Sequence, residues 1–185
     1  MEQLFTREDF LEVCILSIPL IIGGVLHMAV VKTNILSYFK KPIHKSSFGE
    51  NKTWRGFVVM PLATFPGVLL AQKIEGMADL TTPLVFPHSA LALSLALGTA
   101  YCLAELPNSF MKRRLGIRPG ETSGKYKWFF VIIDQMDSVI GCLLAYMFFM
   151  KVRAPVFIGA VILGTGIHLL INNLLYVFGL RKNPL

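Results

Sequence analysis

The 185-residue sequence predicts an all-α integral membrane protein of about five transmembrane helices, with its N-terminus outside and its C-terminus cytoplasmic. Three observations carry that expectation. Hydrophobic residues make up 54% of the chain and charged residues only 16%, for a mean hydropathy of +0.60, which is high for a soluble domain. The apolar residues gather into runs close to the ~20 residues that a spanning helix needs. The Lys and Arg residues lie between the runs, and five spans divide them 14 to one side and 4 to the other. The positive-inside rule then places both long basic loops and the C-terminus in the cytoplasm. The net charge of +7 is accordingly a topology signal, and no nucleic-acid partner is expected.

Residues 1–185 read as a single domain, without internal repeats or linkers. The first run, residues 13–31, follows an acidic N-terminus (MEQLFTREDFLEV) with no A-x-A site, so no cleavable signal peptide is expected. The second, residues 56–71, is short and contains Pro61 and Pro66, which predicts a broken or tilted helix. The third, fourth and fifth runs are residues 84–106, 128–150 and 154–180. Cys14, Cys102 and Cys142 fall inside runs with no CxxC spacing, and read as small buried hydrophobes.

The fourth run, WFFVIIDQMDSVIGCLLAYMFFM, holds two carboxylates, Asp134 and Asp137. Three residues apart on a helix, they project from nearly the same face. One ionised carboxylate in hydrocarbon costs on the order of 3 kcal/mol, and a like-charged pair costs more. Something positive is therefore expected between them: a metal ion, or basic residues of a neighbouring segment. At ~1.5 Å per residue, Asp134 lies roughly 10 Å in from Lys127. Asn172 and Asn173 lie about 12–14 Å in from Arg181, with His168 one turn deeper. Glu105, Asn108 and Ser109 end the third run at the same boundary. The polar groups of three segments thus converge on the inner half of the membrane, which predicts a cavity open to the cytoplasm. His168, Asn172 and Asn173 read first as interhelical hydrogen-bonding groups.

Two basic stretches complete the pattern. The first loop carries Gly49-Glu50-Asn51-Lys52-Thr53-Trp54-Arg55-Gly56, combining cations, a hydroxyl and glycines, but without Walker A spacing. The loop after the third run carries Asn108 and Ser109 followed by Lys112, Arg113 and Arg114, a triplet that would equally attract anionic lipid. Intramembrane acids able to hold a divalent ion, with cations above them, suit phosphoryl or nucleotidyl transfer at the membrane surface.

Lys52-Thr53-Trp54-Arg55-Gly56, Ser109-Phe110-Met111-Lys112-Arg113 and Asp134-Gln135-Met136-Asp137, in this order between membrane segments, resemble the CDP-archaeol synthase family. This is the small branch of the CTP-dependent lipid cytidylyltransferases, related to CDP-diacylglycerol synthase. The resemblance implies that CTP and a 2,3-di-O-polyprenylglycerol phosphate yield a CDP-lipid and pyrophosphate with Mg²⁺ in phospholipid biosynthesis, at a cell membrane with the site facing the cytoplasm. It implies catalytic roles for Asp134, Asp137 and Lys112, with Asp134 and Asp137 as the metal ligands. Lys112 and Arg113 would bind phosphates beside Asn108 and Ser109, and Lys52, Thr53 and Arg55 would contact the triphosphate or the lipid phosphate. Arg55 and Gln135 stand where the diacylglycerol branch typically has Glu and Arg, which favours the archaeol-like branch. Glu50-Asn51 and the loop 118–127 depart from that branch's pattern, which keeps phosphatidate open as the acceptor. A small ion-coupled transporter using the Asp pair and His168, and a non-catalytic scaffold, are the other readings. Oligomeric state stays open.

Overall fold

The computed structural model describes residues 5–78, 80, 81, 83–121 and 126–180. Lys125, Arg181 and Lys182, counted above as topology signals, lie outside the described residues. Among the described residues five helices are long and apolar enough to cross a membrane: α1 (Arg7–Lys32), α3 (Trp54–Glu75), α4 (Ala90–Arg114), α5 (Lys127–Tyr146) and α6 (Ala154–Val177). A short α2 (Lys45–Phe48) lies in the first long loop. Among the described residues there is no strand, only an isolated bridge between Pro42 and Thr53. Each long helix packs on the next, and α6 returns to α1, so the five close into a ring.

Sequence chemistry explains where the elements start and how they meet. Thr6 opens α1 with a capping box: the Asp9 N–H donates to its hydroxyl at 3.1 Å, and its own N–H donates to the Asp9 carboxylate at 2.7 Å. At the same end of the bundle Arg153, just before α6, donates to Asp9 at 2.9 Å and to Glu12 at 2.5 Å, tying the buried acids of α1 to the α5–α6 turn. Val13 and Leu16 of α1, Val68 of α3, Leu97 of α4, Leu143 of α5 and Val156 of α6 share one core.

Four sequence expectations are corrected. The second span is not broken: α3 runs through Pro61 and Pro66 as one helix of 22 residues. Pro61 is buried where α4 abuts α3, and this packing holds the helix through its missing donor, while Pro66 is exposed. A Cβ on Gly98 of α4 would stand 2.3 Å from the Pro61 nitrogen, so only glycine admits that approach. The third span starts at Ala90, not near residue 84, because Leu84, Val85 and Phe86 turn their N–H groups onto the Glu75 carboxylate at the end of α3. It then continues to Arg114, so Asn108, Ser109, Lys112 and Arg113 stand on the last turns of a helix and not in a loop. α5 stops at Tyr146, four residues short of the apolar run, where Phe149 and Met150 both donate to the Tyr146 carbonyl.

Candidate active site

α4 and α5 are antiparallel neighbours, and their shared seam sets the site. Ala100, Ala104, Asn108 and Lys112 recur every four residues along one face of α4. Gly141 of α5, one turn beyond Asp137, faces the alanine part of that stripe: a Cβ there would stand 2.4 Å from the Ala104 Cβ. The helices are thereby held close enough for the polar part of the stripe to reach the carboxylates. The Asn108 amide nitrogen donates to Asp134 at 2.6 Å and to Asp137 at 3.1 Å, bridging the pair. Lys112 donates to both Asp134 oxygens at 2.5 Å. Asp137 turns its second oxygen to the N–H of Ser138 at 2.6 Å and makes no ion pair among the described residues.

Gly141→Val is therefore expected to cost about 1–3 kcal/mol by overpacking. It should also draw Asn108 away from Asp134 without altering any polar group. Thermal unfolding in detergent, with solution or crystallographic measurement of the seam spacing, checks both; an unchanged melting temperature rejects the close-packed seam.

The first loop brings its cations to the same place. Lys52 forms an ion pair with Glu105 of α4. Burial works against the Lys52 ammonium, but Glu105 outweighs it and holds the lysine above its ordinary pKa, so it is charged at neutral pH. Arg55, 4% exposed on the first turn of α3, donates to the Asn34 side chain at 3.3 Å, and its Nε has no partner. Arg113 lies against the turn at Gly49, whose φ of +89° suits glycine and where a Cβ would meet the guanidinium at 3.1 Å. The Nε and one terminal nitrogen of Arg113 are buried without a partner.

One cavity of about 630 Å³ collects all of these groups, a size usual for small-molecule sites. Lys52, Thr53, Arg55, Asn108, Ser109 and Lys112 line it, and so do Arg113, Asp134 and Asp137. The three motifs, far apart in sequence, thus meet on one surface. His168 and Asn172 reach its wall but hold structure. Asn172 donates to the Gln135 side chain at 2.6 Å, and the His168 ring stands 3.3 Å from the Gln135 carbonyl and 3.5 Å from the Tyr101 hydroxyl. Asn173 is exposed and bonds back to Leu169 within α6, away from the cavity.

Sequence reasoning missed two participants. Glu105 was seen only as a boundary residue, although it is the counter-ion of Lys52. His27 of α1 enters the cavity facing the Glu105, Arg55 and Lys52 charges. The stripe Ser17, Leu20, Gly24, His27 and Val31 at helical spacing could have marked α1 as a cavity wall.

Divalent-ion chemistry can be tested on the donor set. No group of three or more His, Cys, Asp or Glu side chains stands together among the described residues. Two carboxylates share the Asn108 amide nitrogen, and Asn108 and Ser138, whose buried carbonyl and hydroxyl oxygens have no hydrogen-bond partner, line the same cavity. Mg²⁺ is commonly held by one or two carboxylates and completed by water and substrate phosphates. The set fits such an ion.

Comparison with known proteins comes to the same place. The sequence profile of the family described as CarS-like, CDP-archaeol synthase, matches residues 43–185. A CDP-archaeol synthase of Thermofilum pendens is 35% identical over 140 residues, covering 74% of this chain and 58% of that protein. Those of Methanospirillum hungatei and Methanoculleus marisnigri are 34% and 31% identical, each match covering 74% of this chain and 80% of the relative. No solved structure matches the chain.

Proposed function

The chain belongs to the CDP-archaeol synthase family, and from that premise we propose that it transfers CMP from CTP to a membrane lipid phosphate, releasing pyrophosphate. The acceptor we favour is an ether-linked 2,3-di-O-polyprenylglycerol phosphate. The single observation that carries the reading is the Asp134–Asp137 pair, bridged by Asn108 and faced by Lys112, in one cavity with Lys52, Arg55 and Arg113.

In this reading a lipid phosphate oxygen attacks the α-phosphorus of CTP, a P–O bond forms, and the α–β bridging bond breaks with its electrons leaving on pyrophosphate. Asp134 and Asp137 would hold Mg²⁺, which when bound neutralises charge on the phosphate oxygens during the in-line displacement. Asn108 keeps the two carboxylates aligned. Lys112 leaves Asp134 for a phosphate oxygen as the nucleotide arrives. Arg55 and Arg113, with nitrogens that lack partners in the protein, are donors ready for the triphosphate. Lys52 and Thr53, at the start of α3, add a charge and a hydroxyl at the same mouth, and Ser109 a second hydroxyl. With the basic ends of α4 and α3 on the cytoplasmic side, as positive-inside counting has it, CTP enters from the cytoplasm and the lipid from the membrane.

The test is purified full-length protein in nanodiscs with α-labelled CTP, Mg²⁺, and either an ether- or an ester-linked lipid phosphate. Labelled CDP-lipid is expected, faster with the ether acceptor; faster turnover of phosphatidate would reassign the acceptor, and no product from either would overturn the reading. In the same assay Lys112→Ala is expected to lower kcat about 10²–10³-fold, as for loss of one charge-stabilising donor.

A further inference from the structure

Residues 33–53 join the end of α1 to the start of α3, two spans packed side by side, so this stretch begins and ends at one face of the bundle. Asn34 and Leu36 both have a φ of +55°, a left-handed form that leucine rarely takes. They turn the chain out of α1 and into a single 3₁₀ turn, Ser37–Phe39. The result is an exposed apolar surface: Tyr38 is 74% and Ile35 55% exposed, with Leu36 and Phe39 beside them. Lys40 and Lys41 follow, both exposed and neither with a carboxylate partner among the described residues. The Lys41 ammonium stands 4.8 Å from the centre of the Tyr38 ring. Lys32 is engaged elsewhere, donating to the Gly179 carbonyl just past the end of α6.

This surface is fastened to the first motif of the cavity. The Ile43 N–H donates to the Lys52 carbonyl at 2.9 Å and the Trp54 N–H to the Lys41 carbonyl at 3.0 Å, on either side of the Pro42–Thr53 bridge. Arg55 donates to the Asn34 side chain at 3.3 Å. A shift of residues 34–43 therefore carries residues 52–55 with it.

Position and charge together select an occupant. The backbone bonds hold residues 41–43 level with the first turn of a spanning helix, where hydrocarbon gives way to headgroups. At that depth apolar rings meet acyl chains and ammonium groups meet phosphates. A zwitterionic headgroup offsets its phosphate with its own cation, whereas an anionic lipid leaves net negative charge for Lys40 and Lys41. We infer that residues 35–41 dock on anionic lipid headgroups, with Lys40 and Lys41 taking the phosphates, and that this contact holds residues 52–55 at the membrane surface. Lys40 also lines the cavity, so a docked headgroup stands at its rim. The inference goes beyond the nucleotidyl-transfer reading and does not depend on it.

The chain has two tryptophans, and Trp128→Phe leaves Trp54, 51% exposed, as the reporter. Full-length Trp128→Phe protein is placed in nanodiscs of phosphatidylcholine with a minority of phosphatidylglycerol. Bromine is carried near the headgroup on the chains of one lipid or the other, so that quenching of Trp54 fluorescence reports which lipid stands beside it. Expected is an enrichment of phosphatidylglycerol of about fivefold over its bulk share, the factor that a single surface lysine supplies. It should fall toward the bulk value in about 1 M salt, where charges are screened within about 3 Å. Lys40→Gln with Lys41→Gln should abolish the enrichment, and Lys73→Gln, at the far end of α3, should retain it. Tyr38→Ser with Phe39→Ser should lower quenching by both lipids. Monodispersity and melting temperature establish that each variant is folded, and the first comparison needs none of the loop variants. Quenching in proportion to bulk composition, or an enrichment that survives loss of both lysines, overturns the inference. So does the absence of quenching by either lipid, the result expected if another protein or a second copy covered the segment. No turnover is measured, so a failed CMP-transfer assay leaves this result standing, and a failed quenching experiment leaves the transfer reading standing.

Discussion

Asp137→Asn is expected to abolish CMP transfer, by on the order of a thousandfold or about 4 kcal/mol at the transition state, while leaving the protein at least as stable. The two halves of that expectation have one cause. Asp134 has Lys112 as a partner, but Asp137 accepts only from the Asn108 amide and a backbone N–H, with no cation in ion-pair contact among the described residues. A carboxylate deep in a bundle without a direct ion-pair partner destabilises the resting fold. Its presence is explained if it receives a positive ion in the working complex. The amide of Asn keeps the shape and size and removes the charge, so the strain is relieved and the ion is lost. Initial rates at saturating CTP and lipid phosphate, with a melting curve on the same sample, provide the check. Activity within tenfold of wild type would mean that the ion is held elsewhere; a sharply lowered melting temperature would mean that Asp137 is structural.

Glu75→Ala is expected to produce the largest stability loss in the molecule, about 3–5 kcal/mol. The Glu75 side chain is 5% exposed and accepts from three successive backbone N–H groups, those of Leu84, Val85 and Phe86. Truncation would strand all three in a region where Leu84 and Val85 are themselves buried. The loop between α3 and α4 would lose its anchor and α4 its fixed starting point. Glu75→Gln keeps one accepting oxygen and should lose less. Unfolding by SDS titration measures both, and a Glu75→Ala protein within 1 kcal/mol of wild type would show that water reaches those N–H groups.

Chemistry that depends on neighbours in sequence was legible, and chemistry that depends on packing was not. The carboxylate pair could be read from a spacing of three inside an apolar run, because helix geometry alone fixes its common face. The cationic stretches could be read from charge, and their meeting with Asp134 followed from depth along antiparallel spans. The Lys52–Glu105 pair joins positions 53 residues apart, and nothing local in either segment announces the other. Pro61 and Pro66 predicted a break because the local rule counts a missing donor; it cannot count Gly98 of the next helix holding the backbone in place. Lys112 and Arg113 were assigned to a loop because hydropathy ends there, yet helical hydrogen bonding continues past the membrane boundary. His27 went unread because a lone imidazole in an apolar run gives no sign of which way it faces.

Two of the lysines at the mouth are engaged at rest, Lys52 with Glu105 and Lys112 with Asp134. A monoanion arriving from solution can exchange with one carboxylate at a time, trading one attraction for another of equal kind. A polyanion long enough to touch both ammonium groups would release both acids together, leaving Asp134 free, in the proposed reading, to hold a divalent ion. In the proposed function the two resting ion pairs are therefore the contacts that an incoming polyphosphate has to displace.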